Sequence, residues 1–404
     1  MNRKFYKSFR FYSFVLCLVV CGLLMFQLIS LNVLPGTMLV VVSSLGILSI
    51  GNLELQDAAL KELSFDYVGV EFDSYKKFGS ALYDGMVDSL LVSDSFFAFL
   101  KEFFPEFRKD IKVIEKFNVN FKASSISKNV NIVKDPFVVY ISGHDAEDID
   151  SNISRSDVNI LMTINPTTHQ ILMLGIPRDF YIPQVCQNNQ KDKLTHTGMY
   201  GVACTVESVE NFINVPVNYY VEVNFDSIIN VVDALGGITV NSPFEFSSVK
   251  YNFVKGENNL NGDQTLSFCR HRYSFLDGDR ERSRNQMRVL TAIINKAMSP
   301  SIITKYPSLM DSLSSSFKTN MSQKEITTFI KSQLKHMEKW DIKQIQVNGT
   351  GLTTVSPALG FEVYMMEPNM DTVEHAEKLI KKVLNNEVVT DSDIEKQNEL
   401  VANT

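Results

Sequence analysis

The sequence lacks the short motifs that mark many enzyme classes. Its 404 residues contain no G-x-S-x-G nucleophile motif, no Walker phosphate loop and no H-E-x-x-H zinc motif. Its five cysteines form no CxxC pair or Cys/His cluster, which argues against a zinc site. The net charge of −7 argues against a protein held on nucleic acid by its overall field, although a local basic patch stays compatible with it.

Histidine also provides no obvious catalyst. His169 falls in a predicted turn, and His271 is expected to face away from the neighbouring arginines. His144 and His196 have no sequence setting typical of an acid–base catalyst. The sequence therefore predicts that none of these four histidines is catalytic.

Arginine is scarce except in one stretch. Six of the eleven arginines lie between Arg270 and Arg288, and twelve lysines but no arginine follow Arg288. Lysine cannot replace arginine where planar, bidentate binding is needed, so this stretch favours a phosphate or pyrophosphate ligand. The competing interpretation is a solvated charged surface paired with acidic neighbours.

The N-terminus contains a predicted membrane anchor. Residues 11–29 are uncharged, long enough to cross a bilayer, and preceded by four basic residues, which predicts a cytoplasmic N-terminus. Residues 31–50 are also uncharged but are interrupted by Pro35 and Gly36. One span would place the rest of the chain outside the cell and two would return it to the cytoplasm, and length alone leaves both open.

The remaining sequence alternates helix and strand patterns. It predicts an α/β fold with a mixed central sheet flanked by helices. The predicted parts are a cytoplasmic tail and anchor (1–52), a small accessory segment and linker (53–135), the α/β domain (136–388) and a flexible tail (389–404). Predicted strands cover 137–142, 158–165, 170–176, 218–225, 265–273, a segment near 344 and 361–366; predicted helices cover 205–213, 227–237, 280–298 and 371–385.

Charged residues collect at the ends of one predicted hairpin. If Asn165 pairs with Gln170, Asp157 faces Arg178 across the ladder, within a residue or two. Arg155 and Asp179 lie at the same edge, and Asp145 follows the strand at 137–142. Each aspartate alone is more typical of a cap or turn. Several carboxylates beside arginines, however, indicate a Mg²⁺ ion bound together with a phosphate.

The arginine-rich stretch divides into two sets. On the predicted strand at 265–273, Arg270 and Arg272 share one face and Cys269 and His271 the other. On the following helix, one face presents Arg282 and Gln286. The predicted pocket set is therefore Arg270, Arg272, Arg282 and Gln286, and the predicted surface set, paired with Glu281 and Asp279 or with water, is Arg280, Arg284 and Arg288.

Several blocks resemble one known family. SRSDVNILMTIN, IPRDFYIP, KDKLTH, YYVEVNF, VDALGGITV, LNGDQTLSFCRHRYS and GDRERSRNQ, within residues 137 to about 300, are similar in content and order to the LytR–CpsA–Psr family, most of all to its capsule-type members. The resemblance implies a membrane-anchored phosphotransferase that attaches a polyprenyl-pyrophosphate-linked glycan to peptidoglycan outside the cell. The segment 53–121 is short for the accessory domain of capsule-type relatives.

The resemblance also implies roles for individual residues. For a reaction of this kind, our own hypothesis is that Arg178 and Arg282 are catalytic and that Asp179 or Asp279 is the general base. Mg²⁺, or Mn²⁺ in its place, would be held by Asp145 and Asp157. The pyrophosphate-binding set would be Arg155, Arg178, Lys193, Arg270, Arg272, Arg282 and Gln286.

Topology, partners and alternatives follow from the same resemblance. A substrate used on the outer face implies an odd number of spans, so we expect one span, an extracytoplasmic domain, and partners among capsule or cell-wall assembly proteins rather than nucleic acid. A Cys186–Cys204 disulfide is compatible with that location. Two alternatives stay open: a non-catalytic lipid-glycan scaffold, and a membrane-bound transcriptional regulator that binds DNA through its arginines.

Overall fold

A computed structural model of the protein describes most of the chain after residue 130 and parts of the chain before it. The described residues are 44–48, 59–64, 66–72, 75–92, 97, 112–114, 130–144, 155–275, 278–299, 317–336 and 339–403. The chain divides into two compact units, residues 1–43 with 64–68 and residues 44–63 with 69–404, and every element below belongs to the second. The predicted anchor at 11–29 lies outside the described residues. Within the described ranges, no helix is both long enough and apolar enough to cross a bilayer.

The centre of the fold is a six-stranded mixed sheet, as the sequence predicts. In spatial order the strands are β14 (Phe317–Thr319), β9 (Tyr219–Val223), β4 (Phe137–Gly143), β5 (Val158–Asn165), β6 (Gln170–Gly175) and β15 (Asp341–Gln346). Parallel pairing joins β9 to β4 and β6 to β15, and the other neighbours are antiparallel.

Helices cover both faces of this sheet, which explains why β4 to β6 are apolar almost throughout. One face packs against α2 (Val202–Ile213) and α7 (Met370–Leu384) in a core that includes Tyr140 and Leu172. The other packs against α5 (Gly278–Ala297) and α6 (Gln323–His336). The sheet is therefore a fixed platform, and loops at its ends carry the exposed chemistry.

A second, smaller core lies beside the sheet. It contains Phe246, Phe253 and Phe268 and buries one side of α5. Its elements are α3 (Phe225–Ala234), β10 (Ile238–Ser242), β11 (Phe246–Ser247), β12 (Asn252–Phe253), β13 (Gly256–Leu260) and α4 (Gly262–Arg270).

The remaining elements are short. A small parallel sheet and the short helix beside it pack through Phe72 and Phe78 against Met199 and Leu359. The central strand of this sheet, Leu45–Leu48, falls within the predicted tail and anchor segment 1–52. Two 3₁₀ helices span Val185–Gln187 and Leu194–Tyr200. The other bounds are β1 (Leu45–Leu48), β2 (Gly69–Phe72), α1 (Tyr75–Ser80), β3 (Ser89–Leu90), β7 (Tyr181–Gln184), β8 (Gln190–Lys193), β16 (Gly349–Val355), β17 (Glu362–Pro368) and α8 (Asp391–Ala402).

The predicted strand at 265–273 is wrong, because residues 265–270 belong to helix α4 and residues 271–273 to the loop after it. The Asn261 side chain accepts a hydrogen bond from the Gln264 amide and the Gln264 side chain caps Asn261 in return, which starts the helix. Buried Thr265, Phe268 and Cys269 then follow at helical spacing. A side chain at Gly262 would collide with the backbone of Ile229, so the helix begins in tight contact with α3.

The predicted flexible tail at 389–404 is also wrong, because residues 391–402 form α8. A capping box between Thr390 and Asp393 starts this helix. The buried Gln397 then ties it to the domain, donating from Nε2 to the carbonyls of Gln346 (2.7 Å) and Thr372 (3.0 Å). A mostly polar segment is thus held by side-chain hydrogen bonds instead of a large apolar face.

A disulfide joins Cys186 to Cys204, as the sequence allows. It links the 3₁₀ turn after β7 to helix α2, with the two Cα atoms 5.7 Å apart. We expect the Cys186→Ser, Cys204→Ser double variant to lose about 3 kcal/mol of unfolding free energy, because a closed loop of this size restricts the unfolded chain. Urea unfolding with and without reductant measures the effect. Equal stability under the two conditions would contradict the prediction.

Candidate active site

The pairing of β5 with β6 brings Asp157 to Arg178. Asn165 pairs with Gln170 as predicted, and the ladder continues to Ile160 opposite Gly175. Beyond the ladder, Arg178 Nη1 donates to Asp157 Oδ1 over 2.6 Å, with both side chains about three-quarters buried. The predicted contact is confirmed, and it places a guanidinium and a carboxylate at one edge of the sheet.

A second ion pair lies beside the first. Lys193 Nζ is 2.9 Å from Asp179 Oδ1, and both side chains are mostly buried. The backbone explains the contact, because the amide of Thr195 donates to the Arg178 carbonyl and the amide of Met366 donates to the Asp179 carbonyl. Lys193 therefore belongs to this edge, and the Asp179 carboxylate, one of the two predicted bases, is engaged by an ammonium group.

Helix α5 brings its first turn to the same edge. A Cβ atom added to Gly175 would lie 2.9 Å from Ser283 Oγ, so the helix passes directly over the end of β6. Arg282 is the neighbour of Ser283, and Arg178 follows Gly175 by three residues. The structure thus brings the backbone of Arg282 near the strand end from which Arg178 extends, with Gln286 one turn further along the helix.

The predicted surface set is confirmed in part. Arg284 Nη1 donates to Glu281 Oε2 (2.8 Å), and Arg288 Nη1 donates to Glu281 Oε1 (2.5 Å). Glu281 itself is buried. These two arginines neutralise a buried carboxylate on the helix. Arg280 is also in the described part of α5, whereas the side chain of Asp279, the other predicted base, lies outside it.

Arg270 and Arg272 are not held on one face of a strand. Arg270 is the exposed last residue of α4, and Arg272 lies in the loop that leads to α5. The Arg272 guanidinium lies 5.1 Å from the ring centroid of Tyr273, and Nη2 donates to its hydroxyl. His271 stacks on Phe246, and burial lowers the pKa of its imidazole. Arg270 and Arg272 therefore precede α5 from a helix end and a loop, and they do not share one face of a strand as predicted.

A cleft of about 170 Å³ opens next to the Asp179–Lys193 pair. Cations and a histidine form one part of its wall, and apolar side chains form the rest. Its lining residues are Arg155, Lys193, His196, Met199, Leu359, Phe361 and Val363. Two members of the predicted pyrophosphate set, Arg155 and Lys193, therefore share one cleft.

Asp192 contacts one residue of the cleft wall, His196. Its carboxylate is fully buried, and the Ser356 hydroxyl lies within hydrogen-bond distance of both oxygens (2.9 and 2.8 Å). The carboxylate also accepts a hydrogen bond from the amide of Ala358 (2.9 Å) and lies 3.0 Å from His196 Nδ1. Burial alone would raise the pKa of Asp192. The hydrogen bond from His196, the charge of that ring when it is protonated, and the amides of Ala358 and Lys193 outweigh burial and hold the pKa below its ordinary value.

Of the two predicted Mg²⁺ ligands, Asp145 and Asp157, the structure describes only Asp157. Asp157 offers an oxygen not used in its 2.6 Å contact with Arg178, and Mg²⁺ commonly takes one or two carboxylates plus phosphate oxygens. Asp145 lies outside the described residues. Among the residues that the structure does describe, no three His, Cys, Asp or Glu side chains converge as a metal cluster. The donor chemistry of Asp157 fits a metal shared with a phosphate.

Comparison with known proteins identifies the family of this chain. The sequence profile of the LytR_cpsA_psr family matches residues 107–394, most of the chain. The chain belongs to the LytR–CpsA–Psr family.

Relatives within the LytR–CpsA–Psr family include enzymes of known name. The chain is 41% identical over 242 residues to the polyisoprenyl-teichoic acid–peptidoglycan teichoic acid transferase TagU of Bacillus subtilis, covering 59% of this chain and 75% of TagU. Among solved structures, it is similar to B. subtilis TagV (TM-score 0.53, 30% identity, 62% of this chain, 98% of TagV). It is also similar to TagT bound to LIIa-WTA (TM-score 0.52, 30% identity, 64% and 94%).

In this LytR–CpsA–Psr protein, the hydrogen-bond network of Asp192, His196 and Ser356 was not predicted from the sequence. Asp192 and His196 are four residues apart, a spacing visible in KDKLTH, but the turn between them is a 3₁₀ helix that this spacing does not reveal. Ser356 is 164 residues from Asp192, and no local pattern joins them. Only the packing of the β16–β17 connection against β8 makes the contact.

Proposed function

We propose that the chain is a membrane-anchored phosphotransferase that attaches a polyprenyl-pyrophosphate-linked glycan, a capsular polysaccharide or related cell-wall polymer, to peptidoglycan outside the cell. The observation that carries the proposal is the convergence of Arg155, Arg178, Lys193 and Arg282 at one sheet edge of a LytR–CpsA–Psr domain. The names of its relatives support the reaction class. The Cys186–Cys204 disulfide supports an extracytoplasmic location, since disulfides persist in oxidising compartments.

The proposed chemistry is attack by a peptidoglycan hydroxyl on the sugar-side phosphorus. The leaving group is polyprenyl phosphate. Arg178 and Arg282 stabilise the negative charge that develops on the phosphoryl oxygens, because guanidinium groups bind such oxygens in bidentate fashion. Lys193 and Arg155 hold the pyrophosphate from the cleft side. Three further residues complete the binding set: Gln286 on α5, Arg272 in the loop before it, and Arg270 at the end of α4.

Asp157, with Asp145, would hold a Mg²⁺ ion, for which Mn²⁺ is an expected substitute. When bound, the ion would supply positive charge to the phosphoryl oxygens. Arg178 keeps Asp157 in place through the 2.6 Å contact, so the same carboxylate would be oriented for the ion. Water in place of the hydroxyl would give a pyrophosphatase side activity.

Binding of the donor tests the first half of this proposal. We expect mass spectrometry of the gently extracted protein to find a co-bound polyprenyl pyrophosphate lipid. The Arg178→Ala variant should retain less of it, because the sheet-edge arginine contacts the phosphates. Absence of such a lipid from the parent protein, extracted without harsh detergent, would count against the proposal.

Metal dependence is a separate prediction. We expect a chelator to abolish glycan transfer and added Mg²⁺ to restore it. The Asp157→Asn variant should need at least about tenfold more Mg²⁺ for half-maximal rate, because one charged oxygen ligand is lost. Rates measured over a Mg²⁺ titration check this. If Asp157→Asn needed the same Mg²⁺ concentration as the parent for half-maximal rate, Asp157 would not be a ligand of the metal.

A further inference from the structure

The imidazole of His196 lies between a buried carboxylate and the cleft. Its Nδ1 is 3.0 Å from Asp192 Oδ1, and its ring forms part of the cleft wall. His196 is 5% exposed and Asp192 is fully buried, so solvent does not compete for this contact. The arrangement differs from that of a surface histidine, because Nδ1 contacts a buried carboxylate while the residue itself lines a cleft.

The contacts of His196 assign the proton between its two nitrogens. An ionised carboxylate only accepts hydrogen bonds, so the neutral ring carries its proton on Nδ1 and donates it to Asp192. Among the described residues, the hydrogen bonds of His196 all engage Nδ1, including a 3.3 Å contact with Ser356 Oγ. Nε2 therefore keeps a lone pair and is the nitrogen available to a molecule in the cleft.

Asp192 is held as an ionised partner for this ring. The Ser356 hydroxyl and the amides of Ala358 and Lys193 all donate to its oxygens. Such donors stabilise the negative charge and fix the direction in which the carboxylate faces His196. A carboxylate in this position both orients an imidazole and stabilises the imidazolium that forms when Nε2 takes a proton.

The cleft in front of His196 is the one proposed to receive the pyrophosphate. Lys193 and Arg155 border it on the polar side, and Phe361, Leu359 and Val363 form an apolar wall. The apolar wall suits the face of a sugar ring, and the cations suit a phosphate that the sugar hydroxyl would attack. The Asp179 carboxylate, by contrast, is engaged by Lys193 over 2.9 Å.

We propose that His196 is the general base of the transfer reaction, oriented by Asp192. This inference rests on the proposed phosphotransferase function. Nε2 accepts the proton of the acceptor hydroxyl while the hydroxyl oxygen forms its bond to the sugar-side phosphorus. The bond from that phosphorus to the bridging oxygen breaks, and its electron pair leaves with polyprenyl phosphate. The imidazolium then returns its proton to the departing phosphate or to water.

The test compares two substitutions of His196 with a matched histidine control. His196→Ala should lower kcat for glycan transfer about 100-fold or more, since a positioned base contributes a factor of this order. Its KM for the lipid-linked glycan should change by no more than about twofold, and added imidazole should restore part of the rate. His196→Asn keeps a donor towards Asp192 and removes the base. It should match parental thermal unfolding while losing kcat to the same extent.

His169→Asn is the control. His169 lies in the β5–β6 turn with a φ of 53°, a backbone conformation that asparagine tolerates well. The His169→Asn variant should therefore transfer glycan at the parental rate. Parental kcat in His196→Ala would overturn the inference. So would a loss of kcat that imidazole does not relieve and that appears with lost lipid binding, since this indicates a structural role. No transfer by the parent protein would instead defeat the proposed function itself.

Discussion

Replacing Arg282 with lysine lowers the rate of glycan transfer by about 100-fold in our account, although the side chain keeps its charge. The expected loss is that of one preorganised donor aimed at developing oxyanion charge. A lysine ammonium is a compact charge on a flexible stem and cannot make two parallel hydrogen bonds to a phosphoryl group. Arg282 adjoins Ser283, which lies over the end of β6. A lysine at position 282 would therefore leave the negative charge on the phosphoryl oxygens partly uncompensated in the transition state.

A second arginine on the same helix is the control for this substitution. Arg284→Lys should change the transfer rate by no more than about twofold, because Arg284 contacts Glu281 at 2.8 Å on another face. Both variants are assayed with the same lipid-linked glycan and peptidoglycan acceptor. Parental activity in Arg282→Lys would contradict the bidentate interpretation of the arginine-rich stretch.

Replacing Asp192 with alanine is expected to lower the free energy of unfolding by about 3 kcal/mol or more. The substitution leaves the Ser356 hydroxyl, the Ala358 amide and the His196 ring without their acceptor in a buried site. Each such orphaned group costs about 1 to 3 kcal/mol, less whatever entering water recovers. Urea unfolding followed by circular dichroism measures the loss.

An exposed ion pair between Lys191, the neighbour of Asp192 on β8, and Glu367 on β17 provides the control. Glu367→Ala removes a half-exposed partner of Lys191 and should cost less than about 1 kcal/mol. If Asp192→Ala were no more destabilising than Glu367→Ala, the network around Asp192 would not be a structural centre.

The stabilisation by Asp192 should also depend on pH. Its pKa in the folded protein lies below the ordinary value of 3.8, so the folded state favours the carboxylate. The stabilisation is therefore fully present above about pH 4 to 5 and is lost as the pH falls below 3.8 through the folded pKa. The difference in unfolding free energy between parent and Asp192→Asn should shrink over that acid range.

The sheet was predictable because its strands carry their own signals. Residues 158–165 and 170–175 form a hairpin whose turn and length leave one sensible register, and that register alone predicts the contact between Asp157 and Arg178. The apolar content of β4 to β6 likewise indicates burial on both faces. Local pattern and tertiary packing agree at these positions.

The segment 265–273 shows where a local pattern was misinterpreted. Alternation of Arg270 and Arg272 with Cys269 and His271 has the period of a strand, but only over four residues. The Asn261–Gln264 capping box and the helical spacing of Thr265, Phe268 and Cys269 carried the stronger signal. The arginines therefore reach the site from a helix end and a loop.

The C-terminal helix and the cleft depend on contacts that sequence alone does not reveal. Gln397 is buried because backbone carbonyls on β15 and α7 accept its amide, and nothing in its neighbourhood marks it as a core residue. Ser356 reaches Asp192 only through the β16–β17 connection. Long-range partners of polar side chains are the part of this site that required a structure.

The most direct test of the account is a reconstituted transfer reaction with purified protein, a polyprenyl-pyrophosphate-linked glycan, peptidoglycan and Mg²⁺. We predict that the glycan becomes covalently attached to peptidoglycan through a phosphodiester, with one polyprenyl phosphate released for each glycan transferred. Arg178→Ala should abolish both products together. Tight binding of the lipid-linked glycan without any transfer or release would contradict the account and identify a scaffold instead of an enzyme.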